Sequence, residues 1–326
     1  MIRLGLEDDA PLMSFSGEEL PAKRHSPESI ARLRTQLQSM MGDRFRVLEP
    51  VAIGGMATLF QVQHRLHHGL FMAKVLHLEL VERRDVRESF RREAIHLAQL
   101  GNHPAMIPIL DFQENDSFAF FLTPFIEGED LDHTLARCGS LSRTEALHMA
   151  AQISSLLCHA ESHGITHCDL APGNIRLDTF GRYRVLDFGL SRSRFDTTTE
   201  YLSGGTPAYT SPEQAAGGQP DHRSDLYSLA LILCEAMSGR PLITGDSFEE
   251  IRHKHMDARW TIPAVIQKDP PVAKLLDWML AADTAKRMQS AFELSGVLAA
   301  LGFERPEFHG MAKIETENRR VRLSNE

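Results

Sequence analysis

His167-Cys168-Asp169-Leu170-Ala171-Pro172-Gly173-Asn174, followed by Asp187-Phe188-Gly189, spaces a carboxylate, an amide and a second carboxylate as phosphoryl transfer to a hydroxyl requires. Asp169 can orient or deprotonate an acceptor hydroxyl. Asn174 and Asp187 are hard oxygen ligands suited to hold Mg²⁺ on the phosphates of a nucleotide. Cys168 and Ala171 carry no charge at two positions inside this stretch, and their chemistry decides how well such a site works.

Upstream of it the pattern is that of strands. Phe45 to Leu48, Thr58 to Val62 and Phe71 to Leu76 read as a first group, with turns at Gly54-Gly55 and at His64 to Gly69. His64, His67 and His68 lack a carboxylate or further ligand at metal spacing, so a solvated hairpin turn is the expectation there. A helix is expected through Ser89 to Ile95, then strands at Ile107 to Phe112 and Phe118 to Leu122. After Gly128 the pattern becomes helical: Thr144 to His163 repeats apolar residues at helical spacing, Asp225 to Met237 is nearly all apolar, and Ser290 with Glu293 reads as a capping box opening a helix to about Leu301. The expected fold is α+β: a small antiparallel sheet with one helix, residues 42–127, then a larger, mainly helical lobe, residues 128–305, with a cleft between them.

Outside these lobes lie two extensions. Residues 1 to about 25 are polar and read as a mobile arm. Ser26 can cap a helix, Pro27 suits its first position, Ile30, Leu33, Leu37 and Met41 form one stripe, and Gly42 can end it. The stripe is expected to pack on the main domain, and the partner of residues 1–41, if there is one, stays open. Residues 306–326 read as a charged, fraying tail.

These residues together resemble the eukaryotic-like, Hanks-type Ser/Thr protein kinases of bacteria, over about Phe45 to Leu301. Ile53-Gly54-Gly55-Met56-Ala57-Thr58 resembles the glycine-rich loop, where backbone N–H groups approach phosphate. Met72-Ala73-Lys74 resembles the strand ending in the phosphate-binding lysine, and Glu93 its helical counter-charge. Thr123 resembles the gatekeeper, and Pro124-Phe125-Ile126 the hinge that meets adenine through the Pro124 carbonyl and the Ile126 N–H. Gly205-Thr206-Pro207 to Ser211-Pro212-Glu213 resembles the end of an activation segment of the Ser/Thr type. Asp225 resembles the aspartate that organises the catalytic loop, and Arg287 the partner of Glu213.

The resemblance implies an enzyme using ATP and Mg²⁺, with Mn²⁺ able to stand in, that phosphorylates Ser or Thr of protein substrates. It makes Asp169, Asn174 and Lys74 catalytic. Ile53, Gly54, Gly55, Ala73, Lys74, Glu93, Thr123, Pro124, Ile126, Asn174 and Asp187 would line the nucleotide, and Asn174 and Asp187 would hold the metal. Two departures qualify it. Ala171 stands where the family has a lysine on the transferred phosphoryl group, which implies slow turnover, and Cys168 replaces the arginine that reads a phosphorylated activation loop, so phosphates on Thr197, Thr198, Thr199 or Ser203 are not expected to be required. Ala52, at the first glycine position of the family, further stiffens the loop. A scaffold that binds nucleotide or a partner without catalysis is the alternative. A small-molecule phosphotransferase is a third, since aminoglycoside phosphotransferases carry a similar loop without the lysine.

Composition fits and excludes. The chain has 326 residues, 42% hydrophobic and 24% charged, as expected of a soluble enzyme with a core large enough to stand alone. A net charge of -9 argues against nucleic acid as a partner. Cys138, Cys158, Cys168 and Cys234 are scattered, which suits reduced cytoplasmic thiols. Neither a secretory leader nor an apolar run of membrane length is expected.

Overall fold

The computed structural model describes residues 26–193, 206–257 and 260–303. The arm at 1–25, the tail at 306–326 and Thr197, Thr198, Thr199 and Ser203 lie outside them. Two compact units emerge: described residues 26–101 with 108–126, and 102–107 with 127–193 and those from 206 onward.

The first unit is built on a five-stranded antiparallel sheet. Its strands are β1 (Phe45–Ile53), β2 (Ala57–His64), β3 (Leu70–Leu76), β4 (Asp111–Asn115) and β5 (Phe118–Pro124), in the order β1-β2-β3-β5-β4. Every residue from Phe118 to Leu122 is buried, so β5 is covered on both faces. On one face Phe118, Phe120 and Leu122 join Phe60, Val62, Ala73 and Val75 and receive Leu33, Leu37 and Met41 of α1 (Pro27–Met41). On the other, Phe121 meets Phe90 of α3 (Arg84–Leu100), with ring centroids 5.2 Å apart. A short α2 (Leu78–Val81) links β3 to α3. Besides α3, expected between the strands, and α1, expected ahead of them, this unit carries the short α2, which the sequence pattern does not announce. Ser26 caps α1, its hydroxyl accepting from the Ser29 N–H at 3.2 Å.

One strand moves relative to the sequence expectation. Ile107 to Leu110 are not in a strand; β4 begins at Asp111, because Pro108 has no N–H to give a ladder and forces the chain through an irregular stretch first.

The second unit is mainly helical. Its strands are short: β6 (Gly128–Asp130), β7 (Ile165–Thr166), β8 (Ile175–Asp178), β9 (Tyr183–Val185) and β10 (Arg192–Ser193). Its helices are α4 (Leu131–Cys138), α5 (Arg143–Ser162), α6 (Pro212–Ala215), α7 (His222–Ser238), α8 (Phe248–Met256), α9 (Ala264–Gln267), α10 (Pro270–Met279) and α11 (Ala291–Ala300). Helix α7 is buried on almost every side, as its apolar run requires, and a full capping box of Asp221 and Ser224 starts it. The expected box at Ser290 is only half formed. Ser290 accepts from the Glu293 N–H at 3.1 Å, but the Glu293 carboxylate turns outward to accept the Gln289 N–H at 2.8 Å. Among the described residues, no helix is long and apolar enough to cross a membrane.

Candidate active site

In the first unit, β3 and α3 position an ion pair. The Lys74 ammonium lies 2.7 and 2.9 Å from the two oxygens of Glu93, whose side chain is 1% exposed. Lys74 also sits over the Phe121 ring, 5.7 Å from its centroid, so apolar surface closes round the pair. A charge so desolvated has to be met by an opposite one, and the two α3 and β3 residues do this for each other. Ala73, next to Lys74, is fully buried and faces the α1 side of the sheet.

Ile53 closes β1, and Gly54 and Gly55 form the turn into β2, where the Gly54 N–H donates to the Ala57 carbonyl at 2.9 Å. Neither glycine has positive φ. Their contribution is absent side chains, not unusual dihedrals. Thr123 and Pro124 end β5, paired in register with Met72 and Phe71, and Ile126 follows two residues on. Pro124 costs the sheet no ladder bond that the strand end would otherwise make.

In the second unit the His167 to Asn174 stretch runs from β7 into β8. Asp225, near the start of α7, accepts the His167 N–H at 2.7 Å and the Cys168 N–H at 2.9 Å. Burial pushes its carboxyl up to about 7 despite these two donors. Cys168 between them has φ of 68°, in the left-handed region where a residue with a Cβ is strained by about 1–2 kcal/mol. Asp169 follows. Its Oδ1 accepts the Thr206 N–H at 3.0 Å, and its Oδ2 accepts from Asn174 Nδ2 at 3.2 Å. Asn174 Nδ2 also donates to the Asp169 carbonyl at 2.9 Å. With its amide nitrogen engaged in this way, Asn174 presents Oδ1 as the atom suited to a hard cation, so the donor set fits Mg²⁺.

Asp187 lies at the same end of the β8–β9 hairpin. Ile175 pairs with Val185, and the Leu186 N–H donates to the Asn174 carbonyl at 2.9 Å, so Asn174 and Asp187 flank one rung. Asp187 Oδ1 accepts the Gly189 N–H at 2.6 Å, which sets the carboxylate on its turn. His167 packs edge-on against Phe188, centroids 4.5 Å apart, and burial lowers its imidazole to about 4, keeping it neutral.

Residues that the sequence left unassigned complete the frame. Gln214 donates to the Cys168 carbonyl at 2.8 Å, a bond across 46 residues that local spacing does not announce. Arg192 on β10 places a cation whose field reaches Cys168, where the sequence offered none nearby. Burial and the Asp225 charge nevertheless push the thiol well up, so Cys168 stays a thiol. Arg287, unlike these a residue whose partner the resemblance implied, has its side chain fully buried and grips Glu213 at 2.7 and 2.9 Å. His255 of α8 is buried too, holds its Nε2–H on the Pro207 carbonyl at 2.9 Å, and is lowered by burial to about 4.

The protein kinase domain family model matches residues 45–295. The chain is 36% identical over 280 residues to the DNA damage-responsive serine/threonine-protein kinase RqkA of Deinococcus radiodurans, covering 80% of this chain and 40% of that protein. It is 31% identical over 260 residues to the probable serine/threonine-protein kinase PknB of Lactococcus lactis, covering 79% and 41% respectively. Against the serine/threonine-protein kinase PrkC of Bacillus subtilis it is 31% identical over 245 residues, 74% of this chain and 37% of the relative. The chain thus spans about two fifths of the length of these curated relatives. Matched over most of its described length and accompanied by bacterial Ser/Thr kinases, the chain belongs to the protein kinase domain family.

Proposed function

We propose that the chain transfers the γ-phosphoryl group of ATP, with Mg²⁺, to Ser or Thr hydroxyls of proteins. One observation carries the choice of a protein acceptor. The Thr206 N–H, at the head of the segment that ends in Ser211-Pro212-Glu213, donates directly to Asp169 Oδ1 at 3.0 Å, so the stretch that resembles a peptide-docking segment is joined to the residue that would receive the hydroxyl proton. A small-molecule phosphotransferase has no need of that connection.

In this reading Asp169 orients the acceptor hydroxyl and accepts its proton, while Asn174 and Thr206 hold its two oxygens in place. Asn174 Oδ1 and Asp187 hold Mg²⁺, which neutralises charge on the phosphates. Lys74, oriented by Glu93, binds the nucleotide together with Ile53, Gly54 and Gly55, and Thr123, Pro124 and Ile126 meet its base, whereas Ala73, on the opposite face of β3 from Lys74, packs under α1 and does not line this site.

Turnover is slow. The Lys that Ala171 replaces would be worth on the order of 2–4 kcal/mol of transition-state stabilisation, roughly a hundredfold to thousandfold in rate. Ala171 is itself buried, 2% exposed, and Pro172 and Gly173 supply no cation in its stead. Phosphates on the activation segment are not obligatory, because the uncharged Cys168 has none to read.

The same Ala171 favours a second reading, a nucleotide-binding scaffold without catalysis. Labelled ATP with Mg²⁺ or Mn²⁺ and a generic protein substrate separates the two, run beside Asp169→Asn and Lys74→Met. Label on protein that both variants lose supports the kinase. Thermal stabilisation by nucleotide with no transfer to protein or small molecule supports the scaffold.

A further inference from the structure

We propose that Gln214 is a positioning residue for Asp169, acting through the peptide bond between Cys168 and Asp169; this rests on the phosphotransfer reading above. Cys168 sits at φ 68°, and a non-glycine residue stays there only where its neighbours over-determine it. Both flanking peptide planes are indeed pinned. The plane before Cys168 is held through its N–H by Asp225 Oδ1 at 2.9 Å. The plane after it is held at both ends: its N–H, that of Asp169, donates to His167 Nδ1 at 3.2 Å, and its carbonyl, that of Cys168, accepts from Gln214 Nε2 at 2.8 Å.

Two of the three partners, His167 and Asp225, belong to the catalytic stretch or to α7. Gln214 belongs to α6, directly after Ser211-Pro212-Glu213, and its side chain is the only bond among them that reaches Asp169 from the docking segment's far end. Its orientation is dictated by Ser211. The Ser211 hydroxyl donates to Gln214 Oε1 at 2.9 Å and the Ser211 N–H donates to the same oxygen at 3.2 Å. A group that receives two donors must be the oxygen, so the amide nitrogen faces the Cys168 carbonyl. Ser211 is fully buried and Gln214 is 5% exposed, so water does not compete for these bonds. An alanine at 211 would remove the hydroxyl donor and leave the amide oxygen held only by the backbone N–H. With Thr206 at one end and Gln214 at the other, the docking segment touches the Asp169 residue twice, once at the carboxylate and once through its peptide.

The test uses the full chain. Gln214→Glu keeps the size and keeps an oxygen for Ser211, but turns an acceptor toward the Cys168 carbonyl; Gln214→Leu removes all three side-chain bonds. Expected are kcat values down by about tenfold to a hundredfold, as for a catalytic group displaced by under 1 Å, with the ATP KM unchanged within about twofold. Ser211→Ala should fall between these and the wild type. Backbone amide hydrogen exchange at Cys168 and Asp169 should quicken in both Gln214 variants, while exchange in α7 stays at the wild-type rate. Wild-type kcat with wild-type exchange in Gln214→Glu overturns the proposal. So does a kcat loss that only follows a lowered melting temperature with exchange quickened throughout the unit. Should the wild type show no transfer above Asp169→Asn, the kinase reading fails, and the exchange measurement alone then decides whether Gln214 holds this peptide.

Discussion

Arg287 and Glu213 form two parallel hydrogen bonds, 2.7 Å and 2.9 Å, between a guanidinium with no exposed side-chain surface and a carboxylate 17% exposed. Burial works to raise the Glu213 carboxyl, but Arg287 and Ser224 outweigh it and hold it below the usual range. Arg287 also donates to the Ala281 carbonyl at 2.8 Å and to the Arg223 carbonyl at 3.1 Å, so it ties α6 and α7 to the segment before α11. Removing one partner strands a buried charge. Arg287→Met should lower unfolding free energy by about 3–5 kcal/mol. Urea denaturation at neutral pH measures it, and a loss under about 1 kcal/mol would show that the pair is dispensable to the fold.

Lys74→Met is the usual way to silence such a site, but here it carries a second effect. It leaves Glu93, 1% exposed, without its cation, so part of any loss of activity would come from a weakened first unit. The double variant Lys74→Met with Glu93→Gln should regain most of the melting temperature lost by the single change and none of the transfer. Recovery of transfer in the double variant would show that Lys74 does not act on nucleotide.

Three buried groups give stability a definite pH slope. Burial holds His167 and His255 at about 4, below 6.5, so between these values the unfolded chain binds two protons that the folded chain refuses. Asp225, pushed up to about 7, acts in the opposite sense and keeps one proton that the unfolded chain releases. Two against one leaves a net uptake of one proton on unfolding. Stability should therefore fall by about 1.4 kcal/mol for each pH unit below about 6.5. His255→Gln can still donate to the Pro207 carbonyl but does not titrate, and should flatten this slope to near zero over pH 5 to 6.5. An unchanged slope in denaturation series would remove His255 from the account.

The parts legible in the sequence were those whose chemistry is local. Asn174 and Asp187 flank one short hairpin, and Asp169 lies five residues before Asn174 and is bonded to it, so their spacing along the chain is nearly their spacing in the fold. Lys74 with Glu93 and Glu213 with Arg287 are distant pairs, legible only because a family resemblance supplied the partner. What stayed hidden depended on long-range geometry without a motif. Gln214 meeting Cys168, Arg192 approaching Cys168 and His255 meeting Pro207 follow from how α6, α8 and β10 pack, which no periodicity encodes. The early strand at Ile107 misled because apolar residues surround Pro108, and the missing N–H overrules the apolar pattern. The left-handed Cys168 is invisible in composition, since cysteine has no preference for that region.

The α1 helix lies outside the stretch matched by the family, yet it forms part of the core. Leu33 and Leu37 are 1% and 0% exposed against Phe60, Phe118 and Phe120. Leu37→Ala should cost about 2–5 kcal/mol, the range for emptying a packed leucine site. A chain cut to residues 45–303 would bare that face of the sheet and should melt lower or aggregate. If it melts with the full chain, α1 is an ornament on a sheet that is stable alone.

Thr197, Thr198, Thr199 and Ser203 stand in the segment that a phosphate-reading kinase would modify, and Cys168 offers such a phosphate no charge. Changing all four to alanine should leave the rate of transfer within about twofold of wild type. Among the described residues an alternative reader is Arg192, whose field acts on Cys168 and whose Nη1 donates to Gln219 Oε1 at 3.0 Å. A large loss of rate in the four-alanine chain, with its melting temperature intact and a matching loss in Arg192→Gln, would move the switch from position 168 to β10. The measured quantity is initial rate on one protein substrate, each preparation first treated with phosphatase so that every chain starts without phosphate. Equal rates before and after that treatment in the wild type are the simplest sign that catalysis does not wait for a phosphate, since an ordering charge that is absent cannot be what aligns Asp169.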